Sequence, residues 1–174
     1  YFRNKQDQGI ALEYWSAWMS RTKDPYMGRM MAWTSWHYGA EAIHMWSFGD
    51  TGGASSWNAY LTTRLPYTPI FIDEVSVTAG KHLVAVRDGI QDYEYFVMLD
   101  QAVQEASAQG ITGPELENAR RLLETLPARV RESAGHGDDV KEDDFHWLNE
   151  SVDRTQADLA RIQVLAALTE LAGR

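Results

Sequence analysis

Val75–Leu99, VSVTAGKHLVAVRDGIQDYEYFVML, is the stretch on which the reading of this chain turns. Leu83, Val86, Ile90, Tyr93 and Val97 recur at helical spacing, with Phe96 beside them, and the spacing predicts an amphipathic helix reaching about Ala108. Thr78 reads as its N-cap, because a hydroxyl there can accept from the free N–H groups of the first turn. Arg87, Asp88, Asp92 and Glu94 sit between the apolar positions. Arg87 with Gln91, or Asp88 and Asp92 through a shared partner, can bond across neighbouring turns. A helix with a solvated charged face explains all of this except Gly89. Glycine inside a helix costs ~1 kcal/mol against alanine, and close approach of another backbone is the usual reason for keeping it. The helix is therefore expected to pack tightly at Gly89, with Arg87 and Asp92 reaching past it to cap neighbouring loops.

Upstream of this stretch the chain is aromatic. Six of the seven Trp lie within the first 57 residues. Ile10–Arg21 (IALEYWSAWMSR) reads as a short helix or an irregular loop. Asp24-Pro25 starts a helix, with Asp at the N-cap and Pro at the first helical position. That helix runs to Tyr38, buries Met27, Met30, Trp33 and Trp36, and ends on Gly39 as a left-handed cap. Ala42–Phe48 (AIHMWSF) reads as an apolar strand buried on both faces, as in a βα layer. GDTGGASSWNAY, Gly49–Tyr60, then supplies Asp50, Ser55, Ser56 and Asn58 around Trp57. An aromatic face beside Asp and Asn can cover the C–H side of a sugar while the polar groups take its hydroxyls; alternatively, Trp57 simply plugs a rim. Tyr67–Asp73 is extended, since Pro69 opposes a helix.

Downstream the chain reads as helix. Gly110 and Gly113-Pro114 break it. Glu115–Ser133 places Leu116, Ala119, Leu122, Leu123 and Leu126 on one side, and Pro127 kinks it or ends its first part. A charged linker, Ser133–Asp144, leads to a last helix over Phe145–Leu171 with Leu148, Val152, Leu159, Ile162, Leu165 and Leu168 as its apolar stripe. These two helices are expected to form an antiparallel hairpin. The division follows: 1–109 as one body and 110–174 as a helical extension.

With 174 residues, 44% hydrophobic and 24% charged, the chain can bury a core. A net charge of -9 argues against nucleic acid as a partner. The absence of Cys excludes disulfides and thiolate metal sites. No apolar run approaches the ~20 residues of a membrane span. The opening YFRNKQDQG lacks an initiator Met and reads as the end of a strand, so the chain is expected to begin within a fold.

The sequence carries few motifs of known chemistry. There is no P-loop, GxGxxG, HExxH or GxSxG. The five His show no metal-ligand spacing, and His44 on an apolar strand reads as a core histidine. Asp73-Glu74 could serve as a glycosidase carboxylate pair, but directly before a helix it reads rather as complementing the helix dipole. Neither a cofactor nor a catalytic residue is assigned.

The run WTSWHYGAEAIHMWSFGDTGGASSWNAY, followed by YTPIFIDEVSVTAGKHLVAVRDGIQDYEYFVML, resembles the C-terminal part of the glycoside hydrolase-like proteins grouped as domain of unknown function 4091, akin to glycoside hydrolase family 123. The matched positions run from Arg29 to Tyr95. They include Trp33, Gly39, Trp46, Asp50, Ser56-Trp57-Asn58, Tyr67, Pro69, Arg87, Gly89 and Asp92-Tyr93. The resemblance implies the C-terminal portion of a (β/α)8 TIM barrel, with its last helix, last strand and closing helix, followed by the helical hairpin; the fragment itself is mostly α. It implies a carbohydrate substrate, N-acetylhexosaminides among the candidates, and substrate-assisted hydrolysis by an Asp–Glu pair that would lie before Tyr1. It also points to an extracellular or periplasmic setting. Trp46, Phe48, Asp50, Trp57 and Asn58 would line the sugar pocket. Arg29, Arg87, Asp88, Gly89, Asp92 and Tyr93 would hold the closing seam. Val84, Gln91 and Asp88 depart from the acidic pattern of the family's closing helix. Two alternatives remain open: a non-catalytic carbohydrate-binding protein on the same scaffold, and a helical interaction module with the Trp-rich segment as its interface.

Overall fold

The structure, a computed structural model, describes residues 8–16, 24–45, 69–72, 74–135 and 153–173. It divides into two compact units, Tyr1–Ile90 and Gln91–Arg174.

The first unit contains a βαβ arrangement. Strand β1 (Glu13–Ser16) pairs in parallel with β2 (Ala42–Met45), Glu13 opposite Ala42 and Trp15 opposite His44, and helix α1 (Tyr26–Tyr38) is the crossover. The ends of α1 follow from its sequence. Asp24 Oδ1 accepts from the Tyr26 N–H at 3.0 Å. Gly39 takes the left-handed conformation (φ 66°), and its N–H donates to the Ser35 and Trp36 carbonyls. Met27, Met30, Ala32 and Trp33 are buried. Where a helix or loop was expected over Ile10–Arg21, Glu13–Ser16 is a strand, and beyond Ser16 that segment lies outside the described residues as far as residue 23. Four residues carry too little period-2 alternation to be read as a strand; the ladder to β2 makes them one.

A second sheet pairs β3 (Ile70–Ile72) antiparallel with β4 (Val77–Ala79). Thr78 stands opposite Phe71 in this ladder instead of capping a helix. The pairing holds residues 77–79 extended, so the helix starts later, at Lys81. Gly80 closes the junction by donating its N–H to the Pro69 carbonyl at 2.8 Å.

Helix α2 (Lys81–Ala108) contributes residues to both units. In the first unit it buries His82, Val86 and Gly89, whereas Ile90 is exposed. In the second unit it buries Asp92, Phe96, Leu99, Val103 and Ala106. It closes with Gly110 at φ 73° and an Ile111 N–H donating to the Ala106 carbonyl at 3.0 Å, the pattern that satisfies the last free carbonyls.

Helix α3 (Pro114–Ser133) runs unbroken through Pro127, with Leu116, Ala119, Leu122, Leu126 and Val130 buried. It packs on α4 (Thr155–Ala172). The helix is described from Thr155, and residues 145–152, expected to belong to it, lie outside the described residues. Asp153 fixes the first turn, where Oδ1 accepts from the Thr155 N–H at 3.0 Å and from its hydroxyl at 2.5 Å. Its buried face is Ala157, Ala160, Val164 and Ala167. Of the expected stripe, Leu159, Ile162 and Leu165 are exposed, Leu168 is half-buried, and Leu148 and Val152 lie outside the described residues. Small residues admit a neighbouring helix closely, and that selects the alanine face over the larger leucine and isoleucine side chains.

The expected barrel portion is contradicted. The described residues are mostly helical, with two separate sheets of two strands each and neither sheet closed. Among the described residues each of these strands has one hydrogen-bonded neighbour. A barrel needs ladders on both edges of every strand.

Candidate functional site

Of the residues expected to line a sugar pocket, Trp46, Phe48, Asp50, Trp57 and Asn58 all lie outside the described residues, as does Asp73. What the structure places is the strand before them: β2 ends at Met45, at its carboxyl end within a parallel ladder.

That ladder has two dissimilar faces. On one, Tyr14 meets Tyr38 of α1 with ring centroids 6.3 Å apart. On the other stand Glu13, Trp15 and His44, all exposed. His44 Nε2 lies 2.9 Å from Glu13 Oε2. His44 is therefore a surface partner of a carboxylate and not the buried core residue its apolar neighbours suggest. Neither Glu13 nor Trp15 stands out in sequence. Their only signal is the i, i+2 spacing, which acquires meaning once the segment is known to be a strand.

The seam residues are brought together selectively. Arg29 and Gly89 meet: a Cβ on Gly89 would lie 2.7 Å from the Arg29 carbonyl oxygen and 2.9 Å from its Cα. Gly28 does the converse, since a Cβ there would lie 2.8 Å from Val86 Cγ2. Glycines on both α1 and the first part of α2 thus set a close helix crossing, which is the reason for Gly89 that the sequence suggested. Arg87 does not reach across that crossing. It donates from Nη2 to its neighbour Asp88 Oδ1 at 2.8 Å, at the surface, where such a pair contributes little.

Asp92 meets a side chain of another helix. Its carboxylate is 2% exposed and accepts from Arg161 Nε of α4 at 2.5 Å. The Arg161 guanidinium also stands 5.9 Å from the Tyr95 ring centroid, within cation–π range. Tyr93 is half-buried on the same helix. Nothing in the local sequence of Arg161 separates it from any helical arginine. Glu74, expected at the helix N-terminus, is an exposed residue ahead of β4, seven positions before Lys81. Among the described residues no cluster of three His, Cys, Asp or Glu side chains is arranged to hold a metal ion, and no helix is long and apolar enough to cross a membrane.

No protein-family model, curated protein or solved structure matches the chain.

Proposed function

We propose that this chain is part of a glycoside hydrolase-like protein that binds or acts on carbohydrate, with N-acetylhexosaminides as the substrate class and the catalytic Asp–Glu pair on residues outside this sequence. One observation supports the reading most directly. β2 belongs to a parallel ladder, and the residues that follow its carboxyl end in sequence are Trp46, Phe48, Asp50, Trp57 and Asn58. Ligands of α/β folds bind outside the carboxyl ends of parallel strands. These five side chains combine aromatic faces with hydroxyl partners, the mixture a sugar requires.

Titration of the chain with N-acetylglucosamine and its oligomers, followed by calorimetry, tests the reading. Binding is expected, and Trp57→Ala should weaken it about tenfold, equivalent to ~1.4 kcal/mol, with the helical signal unchanged. Hydrolysis of aryl N-acetylhexosaminides by the chain alone is not expected. Turnover that disappears in Asp73→Asn or Glu74→Gln would move the active site into this chain and overturn the assignment of the catalytic pair.

The exposed row Leu159, Ile162 and Leu165 favours a second reading, a helical interaction module, since apolar side chains left outside on one helix face mark association surfaces. A chain that binds no sugar, and whose self-association disappears in Ile162→Lys, would favour that reading.

A further inference from the structure

The uncovered face of the β1–β2 ladder has the makings of a ligand site that sequence reading does not single out. Trp15 is 64% exposed. Its register partner is His44, which places the two about 4.8 Å apart across the ladder, and Glu13 stands about 6.6 Å along the same strand face. An exposed indole forgoes much of the hydrophobic gain that usually buries tryptophan. Here it stands beside the Glu13–His44 pair.

An ionised carboxylate only accepts, so at the 2.9 Å separation His44 donates through Nε2–H, and in the neutral imidazole Nδ1 is then an acceptor. The second oxygen of Glu13 has no other hydrogen bond among the described residues. The face therefore offers one flat apolar surface flanked by two acceptors. A ligand that fits it has an apolar C–H face and several hydroxyl donors. An anion would be repelled by Glu13 and by a chain of net charge -9. A protein partner would need far more apolar area than one ring provides.

We propose that Glu13, Trp15 and His44 form a carbohydrate subsite, in which a pyranose ring stacks on the Trp15 indole and donates hydroxyl hydrogen bonds to the Glu13 carboxylate and to His44 Nδ1. The subsite rests on the carbohydrate reading above and gives it a second platform, upstream in sequence of Trp46–Asn58.

The test is titration of the 174-residue chain with N-acetylglucosamine, its β-1,4-linked oligomers and glucose oligomers, read by calorimetry and by the Trp15 indole N–H resonance. The indole resonance should move on addition of sugar. Trp15→Ala should bind at least about tenfold more weakly, and Glu13→Gln several-fold more weakly, with the far-ultraviolet helix signal unchanged. If Trp15→Ala loses that signal, Trp15→Phe, which keeps a stacking face, should bind better than Trp15→Leu. If Trp15→Ala and Glu13→Gln bind like the parent chain while Trp57→Ala does not, the subsite is wrong and the carbohydrate reading stands. If the parent chain binds none of these sugars, both fail together.

Discussion

Arg161 of α4 donates through Nε to the Asp92 carboxylate of α2 at 2.5 Å, across 69 residues of sequence. The acceptor is the more buried partner, 2% exposed against 24% for the arginine side chain. Removing the arginine takes the charge partner from a carboxylate held away from water, which costs several kcal/mol in a fully buried pair. Because Arg161 is partly solvated, Arg161→Ala should destabilise the second unit by about 2–3 kcal/mol. Arg161→Lys should recover part of this by keeping the charge while losing the planar donor geometry. Urea unfolding followed by circular dichroism measures both, and an unshifted midpoint for Arg161→Ala would contradict the assignment.

Gly89 should not tolerate even a methyl group. The gain in helix propensity, ~1 kcal/mol, is opposed by approach to backbone atoms of Arg29 at 2.7 and 2.9 Å, which cannot rotate away. Gly89→Ala should therefore be destabilising by about 1–3 kcal/mol. Gly173→Ala is the control, since its Cβ would meet the Thr169 carbonyl oxygen at an ordinary 3.6 Å. A Gly89→Ala variant that melts above the parent would show that the two helices separate readily at that point.

The first turn of α4 should respond to acid. Hydrogen bonds from the Thr155 side chain, the Gln156 side chain and the Thr155 backbone hold Asp153 below its ordinary value of 3.8. A folded-state value below the unfolded one contributes stability above the unfolded value, and that contribution fades as pH falls through the folded one. Amide exchange at Thr155 and Gln156 should therefore speed up below about pH 4, relative to exchange in the middle of α4. In Asp153→Ala the turn should already be frayed at neutral pH, and the acid step should vanish. A step that survives in Asp153→Ala belongs to another group.

The two faces of α4 should behave oppositely. Ala160 is fully buried and Ile162 is 61% exposed. Ala160→Leu should overpack the contact with neighbouring elements and cost about 1–3 kcal/mol. Ile162→Lys should lie within about 0.5 kcal/mol of the parent. Thermal melts of the two variants side by side decide it; the reverse order would restore the leucine stripe as the packed face.

Sequence by itself determined the features governed by neighbouring residues. Asp24-Pro25 and Gly39 delimit α1, Gly110 closes α2, and Leu116, Ala119, Leu122 and Leu126 face inward on α3, because caps and helical periodicity act within a few residues of chain. Gly89 could also be read as a point of close approach, since its helix cost demands a reason. Tertiary structure alone decided the rest. Val77–Ala79 became a strand and not a cap because Ile70–Ile72 supplied a ladder. Glu13–Ser16 became a strand because Ala42–Met45 did. Apolar residues flank both sides of α4, so periodicity could not say which face would be buried; close packing selected the alanines. Asp92 and Arg161 likewise carry no mark of each other in sequence. Their meeting, like the grouping of Glu13, Trp15 and His44, arises from where separate segments come to rest, and local propensity does not fix that.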